Sequence, residues 1–209
     1  MNPMRPQHIQ SSNFEHIVEL IPECCKVLDL GCGSGDLLDL LIKNKKVKGY
    51  GVEIDLNNVI DCLTKGIPVV HGDIDLGLTG YADNSYDYVI LSRTLQVVKK
   101  PLFVIQEMLR VGKHGIVLSP NFGNARIRLR LLFTGKMPKS KILPFEWYDT
   151  PNIHLFTIKD FRDLCRKNNI TIEKEIWISD SKARASAFYR PFSYLRAQQG
   201  LFIITKNLK

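Results

Sequence analysis

Val27-Leu28-Asp29-Leu30-Gly31-Cys32-Gly33-Ser34-Gly35 is the stretch that decides the fold. Residues 26–30 are short and apolar, as a buried parallel strand requires. Glycine then stands at every second position from Gly31 to Gly35, and leucines recur at helical spacing through residues 36–42. The order is strand, glycine turn, helix. Glycine permits backbone angles that side chains forbid, and it lets a ligand approach the main chain closely. In open α/β sheets, ligands bind beyond the carboxyl ends of the strands, where this loop falls.

The rhythm extends in both directions. Upstream, Phe14, Ile17, Val18 and Ile21 give residues 9–21 the spacing of an amphipathic helix that Pro22 closes. The first seven residues carry two prolines and no periodicity, and are expected to be a loose arm. Downstream, residues 47–52 read as a second strand ending at Glu53, and residues 57–65 as a helix stopped by Gly66. A short third strand, 67–70, leads into His71-Gly72-Asp73, and a fourth, 86–91, is the most apolar in the chain. A helix at 101–110, with Pro101 in its first turn, precedes a fifth strand at 115–119. This alternation predicts a mostly parallel sheet with helices on both faces, an α/β fold. Beyond residue 119 the pattern changes to a helix at 122–133, an irregular stretch at 135–151, a helix at 157–168 and closing strands at 170–178 and 201–205. No repeat or boundary interrupts the chain. The expectation is one domain spanning 1–209, with a cap segment at 120–156 over the sheet's working edge.

Composition narrows the class. The 209 residues, 44% of them hydrophobic, suffice for one well-buried core and fall short of two full domains. No apolar run approaches a membrane span, and no charged-then-apolar leader opens the chain. The cysteines, Cys24, Cys25, Cys32, Cys62 and Cys165, are odd in number, irregularly spaced and without a CxxC pair. No metal site or disulfide framework is expected, and the cytoplasm fits best. The net charge is +8, with concentrations at residues 43–48, 126–130 and 136–141. A solvated surface is the default for such charge, and an acidic protein partner is the sharper alternative. Nucleic acid is not expected, because RNA-binding aromatic signatures and zinc-finger spacings are missing.

Two ligand classes compete for the glycine loop. A dinucleotide fingerprint needs a small third residue, where this chain has Asp36. A carboxylate there would also repel a pyrophosphate at the helix N-terminus. S-adenosylmethionine (SAM) carries no phosphate; it presents a sulfonium, an amino group and a ribose. Asp29, in the first strand, suits the amino group. Glu53, ending the second, suits the two ribose hydroxyls as a double acceptor. Asp73, after the third, suits the adenine amino group. A glycine loop alone is often only a tight turn; acids after successive strands make the reading specific.

At this point the residues match a known pattern. The glycine loop, Gly51-Val52-Glu53-Ile54-Asp55 and Gly72-Asp73 resemble the class I SAM-dependent methyltransferases. A closer resemblance, from about residue 26 to 178, is to the methionine biosynthesis protein MetW family. It is carried by Tyr86-Asp87-Tyr88-Val89-Ile90-Leu91-Ser92, Glu107-Met108-Leu109-Arg110-Val111-Gly112, Pro120-Asn121-Phe122-Gly123 and the run from Leu143 through Pro144-Phe145-Glu146-Trp147-Tyr148-Asp149-Thr150-Pro151-Asn152-Ile153-His154. The resemblance implies a Rossmann-like, seven-stranded sheet and SAM contacts at Asp29, Gly31, Gly33, Gly35, Glu53, Ile54, Asp73, Ile74 and Ser92. It also implies a role in methionine biosynthesis in support of homoserine O-acyltransferase. The family often has an acid at Ser34 and glutamine at Arg93.

Methyl transfer asks little of a protein, because the sulfonium is already a good leaving group and positioning supplies most of the rate. His154, just before a helix capped by Thr157, is a candidate general base; a structural histidine is the competing reading. Glu146, Tyr148 and Asp149 cluster with Trp147 and could line an acceptor pocket or form a docking surface. Cys32 reads as packing. Two functions follow: a SAM-binding partner of an acyltransferase, or a methyltransferase acting on a small molecule or carboxylate.

Overall fold

The computed structural model describes residues 7–140, 143–179, 182–185 and 193–207. Six helices are present among them: α1 (Gln7–Leu20), α2 (Asp36–Lys45), α3 (Leu56–Thr64), α4 (Pro101–Val111), α5 (Ala125–Thr134) and α6 (Ile158–Lys167). The strands are β1 (Lys26–Leu30), β2 (Lys48–Glu53), β3 (Val69–His71), β4 (Tyr86–Ser92), β5 (Gly112–Pro120), β6 (Ile170–Ser179), β7 (Lys182–Ala185) and β8 (Gln199–Lys206). They form one sheet in the order β3-β2-β1-β4-β5-β8-β6-β7. The first five strands are parallel, and β8, β6 and β7 join antiparallel. The seven expected strands are there, and the short β7 adds an eighth at the edge.

Sequence alternation sorts the strands onto two cores. Leu28, Leu30, Val89, Leu91, Val117, Phe202 and Ile204 face α4 and α6, where Val104, Ile105, Met108 and Phe161 complete the layer. Val27, Ile90, Ile116, Leu118 and Leu201 face the other way, against Phe14 and Ile17 of α1 and Leu37, Leu38 and Leu41 of α2. Asp29 shares the face of Val27 and is the one carboxylate of β1, only 2% exposed.

Some boundaries differ from expectation, each for a local reason. The helix expected at 122–133 begins at Ala125, because Asn121 and Asn124 organise the turn before it. Asn121 Nδ2 donates to the carbonyls of Tyr194 and Ala197, while its Oδ1 accepts from the N–H groups of Gly123 and Ile158. That exhausts an amide's usual capacity. Asn124 Oδ1 caps α5 through Arg126 N–H. The third strand is Val69–His71; Ile67 is instead a core anchor beneath Gly35. The fifth strand reaches back to Gly112, whose added Cβ would lie 2.5 Å from Val89. Thr157 caps α6 in a reciprocal box with Asp160, as its sequence position predicts. Glu107 and Arg110 clamp the loop before β4: the guanidinium donates to the Leu78 and Tyr81 carbonyls, and Glu107 accepts from Leu78 N–H. The Arg110 hydrogen bonds hold the Glu107 carboxyl below its ordinary range.

The chain leaves β1, builds outward through β2 and β3, then returns to lay β4 against the other side of β1. The sheet's switch point therefore lies between the carboxyl ends of β1 and β4. Among the described residues no helix is long and apolar enough to cross a membrane. All five cysteines are free thiols.

Gly51 of β2 tests how tightly the sheet supports the loop. A Cβ there would sit 2.5 Å from Cys32 Sγ and 3.3 Å from Leu38. Gly51→Ala should cost about 1–3 kcal/mol and lower the Tm by several degrees. Adding Cys32→Ala should recover part of that loss in a denaturation double-mutant cycle. Equal losses with and without Cys32 would show that the contact does not carry the effect.

Candidate functional site

The loop after β1 turns on three left-handed glycines, Gly31, Gly33 and Gly35, with φ of 71°, 57° and 78°. These angles are cheap only for glycine. At Gly35 an added Cβ would also strike Ile67 and Cys62, so this glycine seats the start of α2 against α3. Cys32 and Cys62 pack beneath the loop with their sulfurs 3.9 Å apart, and Cys62 donates to the Gly33 carbonyl at 3.2 Å. Burial raises both thiols above their ordinary range, which suits packing rather than reaction.

Glu53 joins this loop to the end of β2. One oxygen accepts Gly33 N–H at 2.7 Å; the other accepts Ile54 and Asp55 N–H at 3.0 and 2.9 Å. A carboxylate offers about four acceptor sites, so capacity for a further donor remains. Asp55 in turn caps α3 through Asn57 N–H. Asp36 is held by Ser34 and by Lys65, whose ammonium also bonds the Ser34 carbonyl at 2.7 Å.

A cavity of about 740 Å³ opens at the switch point. Asp29, Gly31, Gly33, Glu53, Ile54 and Ser92 of the expected contacts line it together. Gly35, Asp73 and Ile74 are not among its lining residues. Gly35 supports the loop from behind. Asp73 caps a 3-10 turn (Ile74–Leu76), its Oδ1 accepting Asp75 N–H. His154 also stands off the cavity wall; its N–H donates to the Gln96 carbonyl, and its Nε2 is buried without a hydrogen-bond partner.

The rest of the wall comes from places sequence reasoning did not single out. Phe14 arrives from α1 and Asn58 from α3. Thr94, Gln96 and Val97 follow β4, together with Arg93, which holds a left-handed φ of 57°. That loop leaves a strand's carboxyl end beside β1, the one positional signal that could have found it. Residues 139–152 contribute Lys139, Pro144, Phe145, Glu146, Asp149, Pro151 and Asn152. The two readings of this segment divide between its side chains: Glu146 and Asp149 line the cavity, while Trp147 and Tyr148 point to solvent at 72% and 73% exposure.

The electrostatics oppose the protein's overall charge. Six carboxylates line the cavity (Asp29, Asp36, Glu53, Asp55, Glu146 and Asp149) against Arg93 and Lys139. A chain of net charge +8 thus encloses an acidic chamber, which favours cationic ligands. Asp29 lies deepest. Burial, then the nearby Glu53 charge, pushes its carboxyl from 3.8 up to about 7. Its Oδ1 has no hydrogen-bond partner. An orphaned buried carboxylate oxygen is costly unless a donor completes it. Among the described residues no cluster of His, Cys, Asp or Glu could hold a metal ion.

The sequence matches the model of the family described as methionine biosynthesis protein MetW over residues 11–204. The bifunctional methionine biosynthesis protein MetXA/MetW of Rhodopirellula baltica is 38% identical over 180 residues, covering 81% of this chain but only 29% of that protein. A SAM-dependent methyltransferase of Thermotoga maritima superposes with a TM-score of 0.69 at 19% identity, over 94% of this chain and 88% of that one. One of Archaeoglobus fulgidus gives 0.64 at 16% identity, over 95% and 94% of the two chains. At these identities the likeness is one of fold: the Rossmann-like sheet of the class I methyltransferases.

Asp29 makes stability pH-dependent. Below about pH 4 its carboxyl is protonated in folded and unfolded chains alike. Between there and about 7 the unfolded chain loses the proton first, so stability falls as pH rises and levels off above that window. Asp29→Asn removes this loss. Relative to the parent, the variant should gain about 1–4 kcal/mol between pH 5 and pH 8 in urea denaturation. A constant difference across that range would show that Asp29 ionises normally.

Proposed function

The chain belongs to the methionine biosynthesis protein MetW family, and on that premise we propose that it is a SAM-binding protein that supports a homoserine O-acyltransferase. The acidic chamber at the switch point carries the ligand half of this reading. Its most buried carboxylate, Asp29, has an unpartnered oxygen, suited to the amino group of an amino acid. Glu53 retains acceptor capacity for ribose hydroxyls. Ser92 Oγ is also buried and unpartnered on the wall. No pyrophosphate would be drawn to a chamber with six carboxylates.

When bound, SAM supplies a sulfonium-activated methyl group; the chain's own residues bind, orient and shield it. The glycine loop offers main chain at close range, Phe14 and Phe145 exclude water, and the segment 120–156 serves as the cap of a single domain. The partner half rests on the relative in which a MetW region and a MetXA region share one polypeptide. Such a fusion holds two modules at high effective concentration, the arrangement expected of parts that act together.

A second reading, methyl transfer to a small acceptor, is favoured by Glu146 and Asp149, which bring acids to the chamber from the cap segment. Formation of S-adenosylhomocysteine on incubation with small-molecule and carboxylate acceptors would establish it. The binding reading expects no turnover.

Isothermal titration tests the ligand site. Glu53→Ala should weaken SAM at least about tenfold, because two ribose hydroxyls lose their acceptor. Parental affinity in that variant would sink the ribose assignment. The parent's SAM affinity should also rise between about pH 5 and pH 7, below the range in which a free amino group loses its proton, as Asp29 gives up its own to meet an ammonium group. In Asp29→Asn that slope should vanish; its persistence would assign the pH dependence to another group.

A further inference from the structure

Helix α5 sends none of its side chains into a core. Leu132 and Phe133, near its end, are 74% and 78% exposed. The helix is tied to the chamber wall through charged groups: Arg130 donates to the Lys139 carbonyl at 3.4 Å, and the Lys139 ammonium pairs with Glu146 at 2.7 Å. The next two residues are the exposed Trp147 and Tyr148, whose rings pack edge to face at 5.5 Å. Large exposed aromatics and aliphatics on two linked elements mark an interaction surface, not ordinary scatter.

The charge of this surface selects its partner. Residues 125–140 carry Arg126, Arg128, Arg130, Lys136 and Lys139 and no carboxylate. A helix that lies on a membrane segregates a cationic face from an apolar one. Here Arg128 falls on the opposite side of the helix from Arg126 and Arg130, and the apolar residues fall between them. That intermixing suits a protein surface with an apolar patch framed by carboxylates.

We infer that α5, with Trp147 and Tyr148, is the docking surface for the acyltransferase, and that docking is coupled to the chamber's ligand. This rests on the partner reading given above. The coupling follows from one strip of chain having two sides. Phe145, Glu146 and Asp149 wall the chamber, while Trp147 and Tyr148, between them, face solvent. A ligand that orders the inner side fixes the outer side for the partner. The partner must then shift the ligand's affinity by the same factor.

The test pairs the full chain with the homoserine O-acyltransferase of the same organism, by analytical ultracentrifugation and titration calorimetry. The double variant Leu132→Glu/Phe133→Glu touches nothing in the chamber. It should bind the acyltransferase at least about tenfold more weakly, with SAM affinity within about twofold of the parent's. In the parent, SAM should change the acyltransferase Kd at least about threefold. If the parent does not bind the acyltransferase, the partner reading fails and this surface falls with it, leaving SAM binding untouched. If the parent binds and the double variant binds equally well, the surface alone is wrong. A Kd unmoved by SAM overturns the coupling. Two further results overturn the choice of occupant: sedimentation of the parent, but not the variant, with phosphatidylserine vesicles, or self-association of the parent that the variant abolishes.

Discussion

The carboxylate of Glu53 accepts backbone N–H groups from both the β1 loop and the turn after β2. Gly31 and Cys32 N–H add bonds to the Val52 carbonyl across the same two strand ends. The Gly33 amide could not reach the Glu53 carboxylate without the left-handed turn that glycine allows. With the two ends fixed, α2 and α3 start where they must, and their cysteines and Ile67 fill the space beneath the loop. The chamber is what remains open between this stitched corner and the carboxyl end of β4.

That corner sets charge against solvation. Asp29 and Glu53 are both buried, at 2% and 6% exposure, and stand close enough to raise the Asp29 carboxyl. The fold satisfies Glu53 with main-chain donors and leaves Asp29 with an orphaned oxygen.

Several of the stretches that carry the resemblance are structural when seen in place. Asn121 spends its whole hydrogen-bonding capacity joining β5 to the turns before β8 and α6. Glu107 and Arg110 hold the loop ahead of β4. The run from Leu143 to His154 is mixed: some of its side chains wall the chamber, two face solvent, and His154 turns inward behind Gln96.

The sequence by itself determined the parallel β/α alternation, the glycine turn and the acids at the ends of β1 and β2. Those features depend on local periodicity and on backbone angles that few residues tolerate. The start of α5 was settled by the long-range partners of Asn121 and Asn124, whereas β7 folds back on the end of β6 and Asp73 caps its own 3-10 turn through Asp75 N–H. Only the tertiary structure decided that Phe14, Thr94, Gln96, Lys139, Phe145 and Glu146 meet around one chamber. Their encounter depends on how α1, the loop after β4 and the irregular stretch after α5 pack on the sheet, and no spacing along the chain records that distance. The same packing decided which of Glu146, Trp147, Tyr148 and Asp149 face inward, since an irregular segment has no period from which its faces could be read.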